Sequence, residues 1–343
     1  MTGDRERAHP AALLLLAGGL ALGLATAELL VRALDLPPHP LAPLHVGSYR
    51  LSENPILRYE YQPNLAPDHA AYDPMHAGLA TNSHGFRDRE FAPRKPPGAI
   101  RVLALGDSTT VGLGVPEPES TWPKQLEQRL RNAGHQNVAV LNLGIGGYDP
   151  QQEAELLRVR GLALEPDLVL VLVTTNDLDT GVDGGVYEAL LRARAHLDAP
   201  RRDALGVLLR HSRLAFFAEH RLRGLRAERE PRRSRAREVE GDPLSAGLAR
   251  LRELQRAHGF RLLVFLLPGL DGPHDRYAHR ALHGRMQAIA AAAGVEWIDL
   301  LEGMAGLSRN LRLLSFDGLH PNRAGQAAVA ELVFRHLRVR GLP

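Results

Sequence analysis

A serine follows directly after a short apolar run in the first third of the chain. The run Val102–Leu105 is predicted to be a buried strand, and it leads into Gly106-Asp107-Ser108. A serine at the turn from a strand into a helix presents its hydroxyl at the sheet edge, where it can act as a nucleophile. The same residues also make an ordinary turn and helix N-cap. The Gly-x-Ser-x-Gly elbow is absent, because Thr110 stands two places after the serine.

An aspartate and a histidine stand three positions apart near the C-terminus, Asp317 and His320 in the segment DGLHP. In a loop, this spacing lets the carboxylate bond the imidazole, fix its tautomer and stabilise its protonated form. A helix is predicted to follow and to pack back on the sheet, which would bring His320 to the same edge as Ser108. Taken alone, the motif fits an Asx-type turn before a helix equally well.

Two further loops offer hydrogen-bond donors that carry no charge. Asn142 begins the glycine-rich segment NLGIGG, which ends at Gly147, and Asn176 lies in the segment TND after another apolar run. A glycine N–H can approach a substrate oxygen closely, and an asparagine amide donates without charge. Together with the Ser108 N–H, these groups could form an oxyanion hole with three donors. A nucleotide site is the alternative for the glycine-rich turn, but a Walker lysine and a helix-opening Gly-x-Gly-x-x-Gly are absent.

The elements that position these motifs are predicted from alternating apolar runs and helical segments. The predicted strands, buried on both faces, are Val102–Leu105, Val138–Leu143, Asp167–Val173, Phe260–Leu267 and Val295–Ile298. The predicted helices lie near 119–133, 150–161, 244–258, 277–293 and 322–338. This alternation indicates a parallel sheet covered on both sides. Ligands bind at the carboxyl ends of such strands, which is where the motifs lie.

In the order Ser, Gly, Asn and Asp-x-x-His, these motifs resemble those of the SGNH hydrolases, also called GDSL-like lipases and esterases. The resemblance covers about 101–338 and implies a flavodoxin-like three-layer α/β/α sandwich with a parallel five-stranded sheet. One departure is Thr175, where many members carry glycine. The segment NSHGFR at 82–87 also looks like one found in membrane-anchored bacterial members.

The resemblance also implies a role for each site residue. Ser108 would be the nucleophile, His320 the general base and Asp317 the residue that orients it. The N–H groups of Ser108 and Gly147 and the amide of Asn176 would form the oxyanion hole. Neither a cofactor nor a metal is required by such a site.

The N-terminus carries a membrane signal. Ala11–Ala27 is a run of seventeen residues without charge, and Leu29–Leu34 continues the apolar pattern after Glu28. A spanning helix needs about 20 such residues, so an uncleaved signal anchor over 11–34 is one interpretation. A cleaved signal peptide is the other, because Ala25-Thr26-Ala27 has the small-x-small pattern of a cleavage site. The apolar stretch beyond that site favours the anchor over both the signal peptide and a buried soluble helix.

Four regions are predicted along the chain. They are a cytoplasmic tail at 1–10, a transmembrane signal anchor or signal peptide at 11–34, a tether and small leader at 35–98, and a hydrolase domain at 99–343 with an insertion at about 178–243. A short strand is predicted within Leu57–Tyr61 of the leader. The arginine-rich stretch 220–240 is predicted to be a solvated helix or loop, with contact to anionic lipid headgroups as the alternative.

Composition excludes several classes of protein. Of the 343 residues, 44% are hydrophobic and 24% charged, which excludes wholesale disorder. The absence of cysteine excludes disulfides, thiolate catalysis and cysteine-ligated metals. Nucleic acid is not an expected partner, because no basic stripe with interleaved aromatic residues occurs. His279 and His283 stand four apart on a predicted helix, but no acidic partner completes a zinc site.

The resulting expectation is a single-pass protein of the inner membrane with its catalytic domain on the periplasmic side. It would hydrolyse acyl esters, acetyl esters among them, of cell-envelope carbohydrate or lipid. Two alternatives stay open: an O-acyltransferase that moves the acyl group to or from a glycan with the same residues, and a non-catalytic envelope-binding module. The oligomeric state is not predicted.

Overall fold

The computed structural model describes residues 10–34, 46–68, 75–76, 78–178, 186–188, 190–191, 194, 208, 211–215, 217–218 and 242–342. The chain divides into two compact units, residues 1–44 with 192–233 and residues 45–191 with 234–343. Residues 1–9 of the predicted tail, residues 35–45 of the predicted tether and leader, and the arginine-rich stretch 220–240 lie outside the described residues. The insertion predicted at about 178–243 lies largely outside the described residues, so its bounds remain a prediction.

The first unit contains the N-terminal helix α1, Pro10–Ala33. Its stretch Leu14–Ala33 is long and apolar enough to cross a membrane, by length and composition. Large apolar side chains along it are exposed, as expected of a helix that has no protein core around it. The predicted apolar helix is therefore confirmed, while the choice between anchor and signal peptide stays a prediction.

Glu28, the one acidic residue of α1, is fully engaged in hydrogen bonds within this unit. Its carboxylate accepts from the backbone N–H groups of Arg213 and Leu214, both at 2.9 Å, and from the Ser212 hydroxyl at 2.8 Å. Arg32, one turn further along, adds an ion pair at 2.6 Å. A charge in an apolar helix is costly unless it is paired, and these contacts supply the pairing.

The second unit is built on a five-stranded parallel sheet with the order β4-β3-β5-β6-β7. The strands are β3 Ile100–Gly106, β4 Val138–Asn142, β5 Leu168–Thr174, β6 Arg261–Leu267 and β7 Trp297–Asp299. Within this sheet the order is the flavodoxin-like one, in which the first strand lies between the second and the third. The predicted parallel sheet of five strands is confirmed.

Helices cover both faces of the sheet. They are α2 Ser108–Val111, α3 Trp122–Asn132, α4 Pro150–Leu156, α5 Pro243–His258, α6 Arg280–Ala293, α7 Leu301–Leu307 and α8 Arg323–Arg340. One face packs against α3, α7 and α8, and the other against α4, α5 and α6. The four longer strands are mainly apolar because both of their faces are covered in this way. The edge strand β7 differs from the buried strand predicted over Val295–Ile298, because it begins at Trp297 and ends in the exposed Asp299.

Three helix boundaries differ from the predicted ones by three residues or more, among them the start of α6 at Arg280 where residue 277 was predicted. The helix predicted from residue 119 begins at Trp122, because Pro118–Ser120 forms a separate short turn first. The helix predicted over 150–161 ends as a regular helix at Leu156 and continues as a wider turn over Leu157–Gly161. Apolar periodicity does not distinguish these turns from a regular helix.

The leader, residues 46–98, belongs to the second unit. It forms an antiparallel pair of short strands, β1 Tyr49–Leu51 and β2 Tyr59–Tyr61, so the strand predicted within Leu57–Tyr61 is confirmed. Its aromatic side chains Tyr59, Tyr61 and Phe86 are buried. The leader is therefore part of the packed structure of this unit.

Candidate active site

The serine motif lies where β3 passes into α2. Asp107 caps α2: its Oδ1 accepts from the backbone N–H of Thr109 at 2.8 Å and from the Thr109 hydroxyl at 2.7 Å. This capping is the backbone role that the sequence analysis assigns to such a residue. Ser108 is therefore the first residue of the helix, and its half-buried side chain lies at the carboxyl edge of the sheet.

Ser108, His320 and Asp317 form one chain of hydrogen bonds. His320 Nε2 lies 3.0 Å from Ser108 Oγ, and His320 Nδ1 lies 2.7 Å from Asp317 Oδ2. An ionised carboxylate only accepts hydrogen bonds, so Nδ1 carries the proton and Nε2 is the acceptor that faces the serine hydroxyl. This arrangement can remove the hydroxyl proton as the oxygen attacks a carbonyl carbon.

Asp317 is held ionised by its own loop. Partial burial raises its pKa, but hydrogen bonds from the His320 N–H, the His320 imidazole and the Leu319 N–H outweigh burial and lower the pKa to about 2. The two backbone bonds to Asp317 Oδ1 measure 2.8 Å and 2.9 Å. The same carboxylate thus stabilises the turn through its Oδ1 and orients the imidazole through its Oδ2. The two interpretations of the motif, an Asx-type turn and a carboxylate partner for the histidine, therefore both hold.

The loop that carries this pair is fixed at both ends. The Phe316 N–H donates to the His320 carbonyl at 3.0 Å, and the Leu270 N–H, after β6, donates to the Gly318 carbonyl at 2.7 Å. Gly318 has a φ of 100°, a conformation that favours glycine. Asn322 caps α8, which begins at the next residue. The loop therefore has little freedom to move His320 away from the serine.

The glycine-rich loop after β4 packs tightly against α2. The Asn142 side chain donates to the Thr110 carbonyl at 3.1 Å and accepts from the Gly144 N–H at 3.0 Å. A Cβ at position 144 would lie 2.4 Å from the Val111 nitrogen, so only glycine fits there. Asn142 thus joins two of the predicted motifs, and the loop continues to Gly147 at the half-buried rim.

The third loop follows β5. Asp177 is buried, and its Oδ2 accepts from the Thr174 N–H at 2.6 Å, so it too bonds backbone at this loop. The Thr174 hydroxyl donates to Asn176 Oδ1. Because one side of the Asn176 amide is held in this way, its NH₂ group faces away from Thr174.

The strand order brings the three loops together. β3 lies between β4 and β5, and all three run parallel, so the loops that carry Ser108, Gly147 and Asn176 leave the same edge side by side. His320 joins them through its bond to the serine. The five predicted site residues therefore share one region of the sheet edge, and the three that form the hydrogen-bonded chain are in direct contact.

A group of buried carboxyl groups accompanies these loops. Burial raises the pKa of Glu153 on α4 well above its usual range, and the nearby Asp177 and Asp107 raise it further. Burial likewise raises the pKa of Asp107 and Asp177. Among the described residues, no side chain or backbone group bonds the Glu153 carboxyl oxygens. The neutral form of Glu153 is therefore favoured, which keeps negative charge low next to the site.

Sequence reasoning missed the support that the leader gives to the site. Arg87 is buried, and its guanidinium donates to the carbonyls of Val111 at 3.2 Å and Gly112 at 2.6 Å, and also to that of Val115. The carbonyls of Val111 and Gly112 end α2, so Arg87 holds the far end of the helix that begins with Ser108. The segment NSHGFR, which contains Arg87, was the one signal of this role in the sequence.

In the ranges that the structure covers, no three His, Asp or Glu side chains are grouped so that they could hold a metal ion. His283 bonds Asp299 and Tyr277, and His279 bonds Asp271, so the two histidines do not form a common site.

Comparison with solved structures gives distant similarities. A two-domain esterase active on acetylated mannans is 17% identical, with a TM-score of 0.42; 70% of this chain is matched. The chain spans about half of that esterase, 49% of its length. An acetylxylan esterase from Geobacillus stearothermophilus is 17% identical over 70% of this chain and 95% of its own, with a TM-score of 0.44. The structure of TesA is 21% identical over 70% and 98%, with a TM-score of 0.42. The comparison with curated proteins finds no match.

The family comparison is more direct. The model of the GDSL-like lipase/acylhydrolase family matches residues 104–328, which is more than half of the chain and runs from the strand before Ser108 to the helix after His320. The matched region includes each of the loops described above. The chain therefore belongs to the GDSL-like lipase/acylhydrolase family, a family of ester-hydrolysing enzymes.

Proposed function

We propose that the protein is a serine esterase in which Ser108 attacks the acyl carbonyl of an ester. The observation that carries the proposal is the continuous hydrogen-bonded chain from Asp317 through His320 to the Ser108 hydroxyl. Membership of an acylhydrolase family supports the same reaction.

In the first half of the reaction, His320 Nε2 takes the Ser108 proton as the serine oxygen bonds the carbonyl carbon. The imidazolium that forms is stabilised by Asp317, which the low pKa of about 2 keeps ionised. Collapse of the tetrahedral intermediate expels the alcohol, which receives its proton from His320. An acyl group is left on Ser108.

In the second half, His320 removes a proton from water, and the resulting hydroxide attacks the acyl-serine. The carbon–oxygen bond to the serine breaks, the serine oxygen regains a proton from His320, and the carboxylic acid leaves. No cofactor takes part in either half of this proposed cycle.

The negative oxygen of both intermediates is stabilised by three donors: the backbone N–H groups of Ser108 and Gly147 and the NH₂ group of Asn176. The adjacency of β4, β3 and β5 supports this assignment, because the three loops leave one edge of the sheet. Each such donor contributes about 10²- to 10³-fold to the rate in comparable sites.

The apolar helix α1 is the basis for the proposed location. We infer that it anchors the protein in the cytoplasmic membrane, with the catalytic unit outside the cytoplasm. Esters of envelope carbohydrates or lipids, acetyl esters among them, are then the substrates within reach. High-salt washing should leave the full chain with the membrane fraction, and removal of residues 1–36 should release it. A mature protein that begins at Glu28 would instead establish cleavage.

The activity is tested on the detergent-solubilised full chain with p-nitrophenyl esters from acetate to palmitate and with acetylated sugars. Ser108→Ala should lose nearly all turnover and all labelling by an organophosphonate. Release of free acid supports hydrolysis, whereas transfer of the acyl group to an added sugar would show the acyltransferase. Absence of both Ser108-dependent turnover and labelling would leave only the binding module.

A further inference from the structure

Two tyrosines of the leader hold Gly146 from both sides. The Tyr59 hydroxyl lies 3.1 Å from the Gly146 carbonyl oxygen, and the Tyr61 hydroxyl lies 3.2 Å from the Gly146 nitrogen. A carbonyl only accepts, so the Tyr59 O–H donates, and the Gly146 N–H in turn donates to the Tyr61 oxygen. Both tyrosine side chains are fully buried, so water does not compete for these bonds.

The bond from Tyr59 fixes more than Gly146. The Gly146 carbonyl and the Gly147 N–H belong to one peptide unit, which is planar and trans, so the two groups point in opposite directions. A hydroxyl that holds the carbonyl therefore also sets the direction of the Gly147 N–H. That N–H is the group assigned above to the oxyanion hole.

The orientation of this peptide unit has to be fixed by a hydrogen bond from another segment, because a glycine flanks the unit on each side. Glycine lacks the Cβ that restricts φ and ψ. A peptide unit between two glycines can therefore turn about the axis through its two Cα atoms more easily than other peptide units can. Gly147 has a φ of 80°, outside the region that other residues prefer. A Cβ at position 146 would lie 2.6 Å from the Tyr49 hydroxyl and 2.9 Å from the Tyr61 hydroxyl, so glycine is needed for the tyrosines to come close.

The tyrosines are themselves locked in place. The Tyr49 and Tyr61 rings stack with centroids 4.5 Å apart, and the Tyr49 hydroxyl lies 3.1 Å from that of Tyr61. The Tyr148 hydroxyl donates to the Tyr59 carbonyl, so the residue after Gly147 returns a bond to β2. The Tyr59 and Tyr148 rings meet edge to face at 5.3 Å. The hydroxyl of Tyr59 is thus held by packing that does not depend on its own hydrogen bond.

We propose that Tyr59 of the leader is a positioning residue for the oxyanion hole: through the Gly146 carbonyl it keeps the Gly147 N–H pointing at the developing oxyanion. This inference rests on the proposed esterase function. It assigns the leader a part in the rate of the reaction, in addition to its part in the fold.

Tyr59→Phe is the direct test, because it removes only the hydroxyl and keeps the ring. The variant should lower kcat by about 10- to 100-fold with KM changed less than about twofold, since the donor acts on the transition state and not on bound substrate. Inactivation by an organophosphonate, whose tetrahedral adduct uses the same donors, should slow by a similar factor. Both are measured on the full chain in detergent.

Tyr49→Phe is the matched control. It removes a buried hydroxyl from the same cluster, but that hydroxyl bonds Tyr61 and not the Gly146–Gly147 peptide. It should lower the melting temperature about as much as Tyr59→Phe does and leave kcat within about twofold. Tyr61→Phe, which frees the Gly146 N–H of the preceding peptide, should lie between the two in kcat.

The outcomes separate this inference from the function on which it rests. A wild-type protein without Ser108-dependent turnover or labelling would overturn both. An active wild type with unchanged kcat in Tyr59→Phe, or with an equal loss in Tyr49→Phe, would overturn the positioning role alone. If Tyr59→Phe does not fold, 4-fluorophenylalanine is incorporated in place of Tyr59, because its fluorine fills the space of the hydroxyl without donating a hydrogen bond; an unchanged kcat in that protein also overturns the positioning role.

Discussion

The second unit contains two hydroxyl–histidine–aspartate chains with nearly the same hydrogen-bond geometry. In one, Asp317 and Ser108 lie 2.7 Å and 3.0 Å from the His320 nitrogens. In the other, Asp299 and the Tyr277 hydroxyl each lie 2.7 Å from a nitrogen of His283. Distances alone therefore do not distinguish a site from a structural contact.

The surroundings of the two chains differ. The Tyr277 oxygen also accepts from the Gly269 N–H at 2.9 Å, and burial raises the pKa of Tyr277 well above its usual value. His283 is buried, with only 6% of its side chain exposed, whereas 17% of the His320 side chain is exposed. The buried chain is satisfied internally, and the serine chain opens at a sheet edge that carries further donors.

The comparison indicates that one chain supports the other. The Tyr277 hydroxyl holds Gly269, and the next residue, Leu270, donates to the Gly318 carbonyl in the loop of His320. The Tyr277 hydroxyl thus links the buried chain to the loop after β6, and this loop bonds the loop that carries His320. We expect loss of the buried chain to affect stability and loss of the serine chain to affect chemistry.

The largest expected effect comes from replacing the two histidines. His320→Ala should lower kcat by at least about 10³-fold, because no group is left to take the serine proton, while its melting temperature changes little. His283→Ala should instead lower the free energy of unfolding by about 2–4 kcal/mol, because it leaves buried polar partners unpaired. Ester hydrolysis and thermal unfolding are measured on both variants.

The distinction between a chemical role for His320 and a structural role for His283 is contradicted if both variants lose activity to the same extent while both stay folded. It also fails if His320→Ala keeps the turnover of the wild type. Activity is expressed per folded molecule, so that the lower stability of His283→Ala does not count as a catalytic loss.

A second difference is the set of proposed oxyanion donors, which lies beside the serine chain. If Asn176 has the proposed role, Asn176→Ala should lower kcat by about 10²- to 10³-fold with little change in KM, because the amide would contact an oxygen that becomes negative only in the transition state. Steady-state kinetics with p-nitrophenyl acetate measure the effects on kcat and KM separately. A variant with a raised KM and an unchanged kcat would place Asn176 in substrate binding instead.

The two aspartates provide a smaller and pH-dependent effect. With a pKa of about 2, Asp317 is ionised throughout pH 4–9, so it should add no step of its own and wild-type kcat/KM should show a single rising limb, that of the general base. Asp317→Asn removes the charge that stabilises the imidazolium, so the limb should move to lower pH and the plateau should fall by about 10- to 100-fold.

Asp299→Asn is the matched control for this pH profile. It alters the partner of the buried histidine and should leave the position of the limb unchanged. A limb that moves equally in both variants, or that stays in place in Asp317→Asn, would contradict the assigned partner of His320.

Much of this architecture could be predicted from local patterns. The four longer strands are mainly apolar runs, and Ser108 and Asn176 each come a few residues after such a run, so the parallel sheet determines where they meet. His320 could be placed because its partner Asp317 is only three residues away. These predictions needed no knowledge of which distant segments touch.

The contacts that were missed all join segments far apart in the sequence. Tyr59 and Gly146 are separated by 87 residues, and β2 shows only an alternation that indicates a strand. The spacing of His279 and His283 is typical of a metal pair, but His279 comes just before α6 and the partner of His283 lies 16 residues away in β7. Such pairings depend on tertiary packing, which periodicity and motif spacing do not encode.

The most direct test of the account asks which residue an organophosphonate modifies and which histidine drives the modification. The detergent-solubilised full chain is labelled, and the adduct is located by peptide mass spectrometry in the wild type, His320→Ala and His283→Ala. We predict a single adduct on Ser108, formed at least about 10²-fold more slowly in His320→Ala and at an unchanged rate in folded His283→Ala. An adduct on another residue, or a His320→Ala variant labelled as fast as the wild type, would contradict the assignment of Ser108 and His320.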